Sequence, residues 1–264
     1  MKRVAILSDF HCGHVVGLTP PSWWLPEKDD DDSKTKRQKY AVVQRALWSF
    51  YSDNIKKHGP YDVMFLNGDA IDGDGKRSGG TEQVTTDREE QAEMAVKAAR
   101  VAISAKTRVV MTYGTAYHTG DGEDFENIVA TDLKAKIGSH EWVDVEGVVF
   151  DLKHHCGASA IPHGRHTAPA KERLWNVLWN EAEMAPKADV IVRSHVHYFG
   201  HCGGPDWLAL TTPALQGMGS KFGSRRCNGI VDFGFLVFEC NKGSYTWKPV
   251  IAKIKAQVAQ VIKL

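Results

Sequence analysis

Acidic and imidazole side chains recur in this chain at the ends of apolar runs, in pairs spaced to face one way. Asp9 and His11 are two apart in "SDFHCG", and His195 and His197 are two apart in "SHVH". Asp69 stands in "NGDAID", and His154 with His155 in "KHHCG". Alternate residues of a regular strand share a face, so each spaced pair is expected to aim two donors together. Ligands of α/β sheets gather at the carboxyl ends of strands, which makes these four places candidates for one crevice. Mixed imidazole and carboxylate donors suit Zn²⁺, Mn²⁺ or Fe. Two aspartates with four or five histidines exceed what one cation needs, and this predicts two ions. A pair roughly 3.5–4 Å apart activates water and stabilises the attacking and leaving oxygens of phosphoryl transfer, with a carboxylate such as Asp69 suited to bridge. Phosphate-ester hydrolysis is the chemistry such a centre serves.

The elements that must position these donors are legible from hydrophobic spacing. "RVAILSDFH" reads as a buried strand with polar residues at its carboxyl end, as do "YDVMFLNGD" (61–69) and "ADVIVRSHVH" (188–197). Apolar residues at helical spacing predict a helix over 40–57, stopped by Gly59 and Pro60. Further helices are expected over 88–105, 123–137 and 169–185, the last with its proline in the first turn. A strand is expected at 107–113, a hairpin at 141–153, and short strands at 207–212, 230–238 and 244–250, followed by a mixed tail. Strands alternating with helices argue for an α/β core, and the strand-rich end for an added antiparallel portion. One domain spanning 1–264 is expected, with loop insertions at about 14–38 and 72–88. In the first of these, Trp23 and Trp24 are expected to pack the loop down, and the aspartates at 29–32 to be solvated surface.

The bulk properties set limits. The 264 residues are 42% hydrophobic and 25% charged, enough to bury a sizeable core. Lys plus Arg number 33 against 32 for Asp plus Glu, so no overall field steers the chain to nucleic acid or an anionic membrane. The apolar run at the N-terminus covers only residues 4–7, and no stretch approaches the roughly 20 residues of a membrane span, so a cytoplasmic protein without a membrane partner is expected. Five cysteines, with no C-x-x-C pair, indicate neither a disulfide framework nor a cysteine zinc site. "DGDGKRSGG" imitates a phosphate-binding loop but has Ala70 where the first glycine belongs, and no G-x-S-x-G elbow occurs.

Taken in order, "SDFHCG", "NGDAID", "HHCG" and "SHVH" resemble the signature of the calcineurin-like metallophosphoesterases, D-x-H, G-D, G-N-H-[DE], H and G-H-x-H. The resemblance spans residues 8–197, and compact bacterial and phage-type members look similar. It implies an α/β fold, a two-sheet mixed β-sandwich flanked by helices, and two divalent transition metal ions (Mn, Zn, Fe or Ni, with Mn favoured). By position, Asp9, His11 and His197 would hold one ion, Asp69 would bridge, and His154 and His195 would hold the other. His154 is preferred to His155 as the first residue of an H-x-[PG]-like unit.

Two departures from the family pattern stand out. Ser194 replaces a common glycine, a small change. No G-N-H-[DE] exists, and "GTAYHTG" occupies its place. Thr115 stands where the family has an Asn that binds the second metal, and Ala116 where it has a His that assists the leaving group. His118, three residues beyond Thr115, has three open readings: general acid toward the leaving oxygen, replacement ligand of the second ion, or an uninvolved loop residue.

The expected activity is that of a phosphodiesterase, of nuclease or cyclic-nucleotide type, using a metal-bridging hydroxide. Its partners would be phosphate-ester substrates, nucleic acid or nucleotide among them. A phosphomonoesterase of the same fold and a non-catalytic scaffold that binds a protein partner are the alternatives. Arg165, with its planar fork, and His155 are candidate substrate contacts. Lys76 and Arg77 are candidates to line a substrate groove. His14 is expected at the surface. Lys221, Arg225 and Arg226 form a basic loop, expected as solvated charge rather than a nucleic-acid contact.

Overall fold

The computed structural model describes residues 1–26, 35–120, 124–218 and 230–253, without the side chains of 35–39 and 77. The acidic run at 29–32, Arg77's side chain, the basic loop around Arg225 and the end of the tail lie outside the described residues.

Alternation within the strands divides the core. In β1 (Lys2–Leu7), Val4 and Ile6 face one way and Ala5 and Leu7 the other. Ala5 and Leu7, with Met64 and Leu66 of β2 (Val63–Asn67), pack under α1 (Thr35–His58), α2 (Arg88–Arg100) and α4 (Glu126–Leu133). Val4 and Ile6 join Phe65, Phe150, Val190, Val192 and Phe238 in a second apolar layer between two sheets. Phe150 stands edge-on to both Phe65 and Phe238, each at 5.3 Å between ring centres.

The first sheet has the order β11-β10-β1-β2-β3-β4, with β3 at Arg108–Thr112, β4 at Lys136–Gly138, β10 at Gly234–Asn241 and β11 at Ser244–Ile251. The second has the order β5-β6-β7-β9-β8, with β5 at Glu141–Val145, β6 at Val148–Leu152, β7 at Val190–Arg193, β8 at Gly200–Gly204 and β9 at Trp207–Thr211. α5 (Thr167–Glu181) packs against β7, β8 and β9. This is the two-sheet α/β sandwich that the motif order led us to expect. Strands β1 to β4 run parallel, as do β6, β7 and β9, so carboxyl ends collect along one rim.

Several boundaries differ from expectation. The helix expected over 123–137 ends at Leu133, because Lys134 turns left-handed at φ 53° and residues 136–138 join β3 as a short parallel strand. The helix expected to 105 stops at Arg100. The strand expected over 188–197 covers only 190–193. The two tryptophans do hold their loop down: Trp23 Nε1 donates to Glu90 (2.8 Å) and Trp24 Nε1 to the Thr19 carbonyl (2.9 Å).

Candidate metal centre

Five loops at that rim supply the expected donors, and they do so through irregular backbone rather than regular strand. Asp9, His11, Asp69, His195 and His197 all adopt left-handed φ values, between 43° and 72°. The expectation that alternation on a strand would align each pair therefore fails. These residues lie past the strand ends, where a left-handed turn at each donor swings its side chain inward. Such conformations cost on the order of 1–3 kcal/mol each and persist where the surroundings over-determine them. Here the loops brace one another: Asp9 N–H donates to the Gly68 carbonyl, His11 N–H to the Asp69 carbonyl and Cys12 N–H to the Ala70 carbonyl, at 3.0–3.1 Å. Gly114 is required beside them, since a Cβ there would collide with the Asp69 backbone and carboxylate.

Among the described residues three groups converge, and two of them have one carboxylate between them; the third, His11 with Asp72 and His118, shares His11 with the first. In the first, Asp9, His11 and His197 bring one ligand atom each to a common place, with His11 Nε2 3.2 Å from His197 Nε2 and His197 Nε2 3.2 Å from Asp9 Oδ1. In the second are Asp69, His154 and His195. Asp69 Oδ2 lies 3.0 Å from His154 Nε2 and 3.8 Å from His11 Nε2, so it faces both groups. Thr115 stands with the second group, its N–H donating to Asp69 Oδ1 (2.6 Å) and its Oγ1 lying 3.3 Å from Asp69 Oδ2 and 3.2 Å from His195 Nδ1. His118 stands on the other side, its ring 4.6 Å from that of His11 and its Nδ1 donating to the Asp72 carbonyl (2.8 Å). His155 is exposed, with its ring 4.9 Å from His195, and Arg165 lies over the Tyr198 ring at 4.4 Å.

The donor set fits metal ions. Both carboxylate oxygens of Asp9 and Nε2 of His154 are buried and accept or donate no aligned hydrogen bond, despite neighbours at 3.0–3.2 Å. Buried polar atoms are rarely left so, and cations are what such converging lone pairs satisfy. Burial alone would raise the pKa of Asp69, yet His154 beside it holds the carboxylate well below its ordinary range, and Asp69 in turn raises His154. A ligating imidazole must give up that proton, so metal affinity at this group rises with pH.

Three residues that sequence reasoning passed over organise the centre. Asp72 engages every polar group it has: Oδ1 accepts from His11 Nδ1 (2.8 Å), Oδ2 from Gln83 Nε2, its N–H donates to Gln91 Oε1 (3.1 Å), and its carbonyl accepts from His118. Against the cost of burial, His11 lowers the Asp72 pKa to about 2, so it is an anion that orients the imidazole. Gln91 donates to the Gly73 and Thr85 carbonyls, which locks this loop onto α2. Glu126, on α4, accepts from Ala70 N–H and Gly114 N–H, both at 2.7 Å, and so ties the second loop to the third. His14, expected at the surface, is instead buried, because its Nδ1 accepts from Val16 N–H within the folded-down loop.

Ser194, read as a small departure, is a junction between the sheets. Thr112 donates to Asn67, and Asn67 and Thr212 both donate to Ser194 Oγ, at 2.7–2.9 Å. Ser8 continues the ribbon to Thr212 (2.7 Å), and all five residues are buried. Ser194→Ala leaves Asn67 Nδ2 with the Lys153 carbonyl (3.2 Å) alone and removes the acceptor of Thr212, so a loss of about 1–3 kcal/mol is expected in urea unfolding. An unchanged midpoint would remove Ser194 from this role.

Glu126 offers a pH test. Burial, and then the charge of Asp69, raise its pKa from 4.5 to about 7. The folded protein therefore holds its proton more tightly than the unfolded chain. The resulting stabilisation is complete below about pH 4.5 and is lost as pH rises through about 7, up to about 3 kcal/mol. In chelator-treated protein, the stability difference between wild type and Glu126→Gln should shrink by that amount across the window. A pH-independent difference would refute the assignment.

No protein-family model matches the chain, and a search of curated proteins finds no match. Among solved structures the chain is similar to Vps29 of Chaetomium thermophilum, at 12% identity and TM-score 0.46, over 94% of this chain and 89% of that one. It is also similar to wild-type Vps29 of Entamoeba histolytica complexed with zinc, at 13% identity and TM-score 0.41, over 94% and 98% of the two chains. A novel archaeal phosphodiesterase gives 13% identity and TM-score 0.41, over 94% and 99%. Likenesses at this level leave function to be read from the side chains themselves.

Proposed function

We propose that this chain is a dinuclear metal-dependent phosphohydrolase acting on phosphodiesters. The observation that supports it above all is the pair of donor groups that share the Asp69 carboxylate, with buried Asp9 and His154 atoms left without aligned partners. Asp9, His11 and His197 would hold one divalent ion, and His154, His195 and Thr115 the other, with Asp69 common to both. Two such ions would activate water and offset charge developing on the attacking and leaving oxygens. No helix among the described residues is long and apolar enough to cross a membrane.

The chain's own contribution to turnover is the proton. His118 Nδ1 donates to the Asp72 carbonyl, and the Asp72 carboxylate is 3.6 Å away, an arrangement that fixes the ring and leaves Nε2 as its other polar atom. Its position away from Asp69, His154 and His195 suits a general acid serving the leaving oxygen more than a ligand of the second ion. His155, exposed beside His195, and Arg165 would be the contacts for substrate phosphate, with nucleotides or nucleic acid as the substrate class.

Hydrolysis of bis(p-nitrophenyl) phosphate against the monoester, with Mn²⁺ supplied, tests this. Faster diester turnover is expected, and a large monoester advantage would overturn the diester assignment. The rewritten third motif favours one other reading, a non-catalytic scaffold binding a protein. Fewer than about one tightly bound transition ion per chain would decide for it, since the donor set then serves no cation.

A further inference from the structure

Helix α5 is amphipathic the wrong way round for a monomer. Its inward side carries Arg173 and Asn176, both buried. Arg173 Nη1 donates to the Ala188 carbonyl (2.7 Å), and Asn176 Nδ2 donates to the Pro186 carbonyl (3.1 Å) while its Oδ1 accepts from Ala188 N–H (3.0 Å). Its outward side carries Leu174, Trp175 and Leu178, exposed by 58%, 43% and 48%. At 100° per residue these three fall within one stripe, opposite Arg173 and Asn176. Met184, just past the helix, adds a side chain that is 75% exposed. Large apolar side chains clustered on the solvent side, with polar ones turned to the core, mark a surface that another body covers.

The charges flanking the stripe say which body. Lys171 begins it and Glu181 ends it, both exposed and about 15 Å apart along the axis. A two-fold axis crossing the helix near Asn176 sets two copies of α5 antiparallel. Leu174 then meets Leu178 of the second copy, the two Trp175 rings lie side by side at the axis, and Lys171 faces Glu181 of the second copy twice. A parallel pairing would set Lys171 against Lys171. A lipid surface would want basic residues at both ends, whereas Glu181 and Glu183 are exposed at one. An isologous contact of this kind closes on itself and leaves no free end for further growth.

We propose that α5 is the contact helix of a two-fold homodimer of this chain. The proposal does not depend on the chemistry of the metal centre. Analytical ultracentrifugation of the full chain over a micromolar concentration series tests it. The expected result is a dimer, which Leu178→Glu converts to a monomer with unchanged circular dichroism. Lys171→Glu should weaken association about tenfold, through two new like-charge contacts, and Lys171→Glu combined with Glu181→Lys should restore it. That restoration separates a specific antiparallel register from general stickiness of an apolar face. A wild-type monomer at tens of micromolar, a dimer that survives Leu178→Glu, or a charge swap that fails to restore association would each overturn the proposal. A monomer that binds anionic vesicles through this helix would also overturn it.

Discussion

Replacing Asp69 by Asn is expected to abolish diester hydrolysis and to reduce bound metal from about two equivalents to one or fewer. Asp69 Oδ2 is 3.0 Å from His154 Nε2 and 3.8 Å from His11 Nε2, while Thr115 N–H holds Oδ1 at 2.6 Å. The amide is nearly isosteric and can still accept from Thr115. Its NH₂, however, points donors at two imidazole nitrogens whose lone pairs a cation needs, and the charge facing both groups is gone. Losing an electrostatic stabiliser alone costs about 10²–10³ in turnover, and losing an ion as well carries the variant below that. Metal analysis after dialysis, paired with the diesterase assay, is the measurement. Full metal content in an inactive variant would show that Asp69 acts in some way other than holding the ions.

Changing His118 to Ala should lower turnover by about 10²–10⁴, the usual contribution of a positioned acid, with metal content close to wild type. His118 packs its ring against His11 and bonds to Asp72, and it does not join Asp69, His154 and His195. The companion change Asp72→Asn reaches further, because the same carboxylate orients His11. Metal affinity should fall about 10–100-fold there, as for other residues that orient a ligand. The pair of variants separates the roles: turnover alone for His118, turnover and metal together for Asp72. Loss of one metal equivalent in His118→Ala would make it a ligand, and wild-type turnover would remove it from the site.

Much of the centre was legible residue by residue. Strands β1, β2 and β7 announced themselves as apolar runs, and the donors stood just beyond them. Aspartate and histidine in short spaced motifs are scarce enough to notice. Asp72 and Glu126 were not, since a lone carboxylate in a polar loop or on a helix looks like any solvated charge until its partners arrive. Glu126 meets Ala70 from 56 positions away, and no local spacing signals such a meeting. Strand β8 was missed because "GHCGG" has no β-forming side chains. Its pairing with β9 comes from the sheet edge available beside it rather than from propensity.

The sequence by itself determined which acidic and imidazole side chains stand beyond the strand ends, their order along the chain, and the α/β alternation that brings those ends to one rim, because these depend on residue type and period. The tertiary structure alone decided which donor meets which. His11 and His197 come together across 186 residues, and the left-handed turns at Asp9, His11, Asp69 and His197 are held by backbone bonds to other loops. It likewise decided that Thr115 stands with Asp69 and His195 while His118 stands with His11 and Asp72. The four-residue helix α3 (Ala116–Thr119), which opens at Thr115, points the two side chains to opposite groups, and distances of a few ångströms between loops are a property of the packed sheets rather than of any one segment.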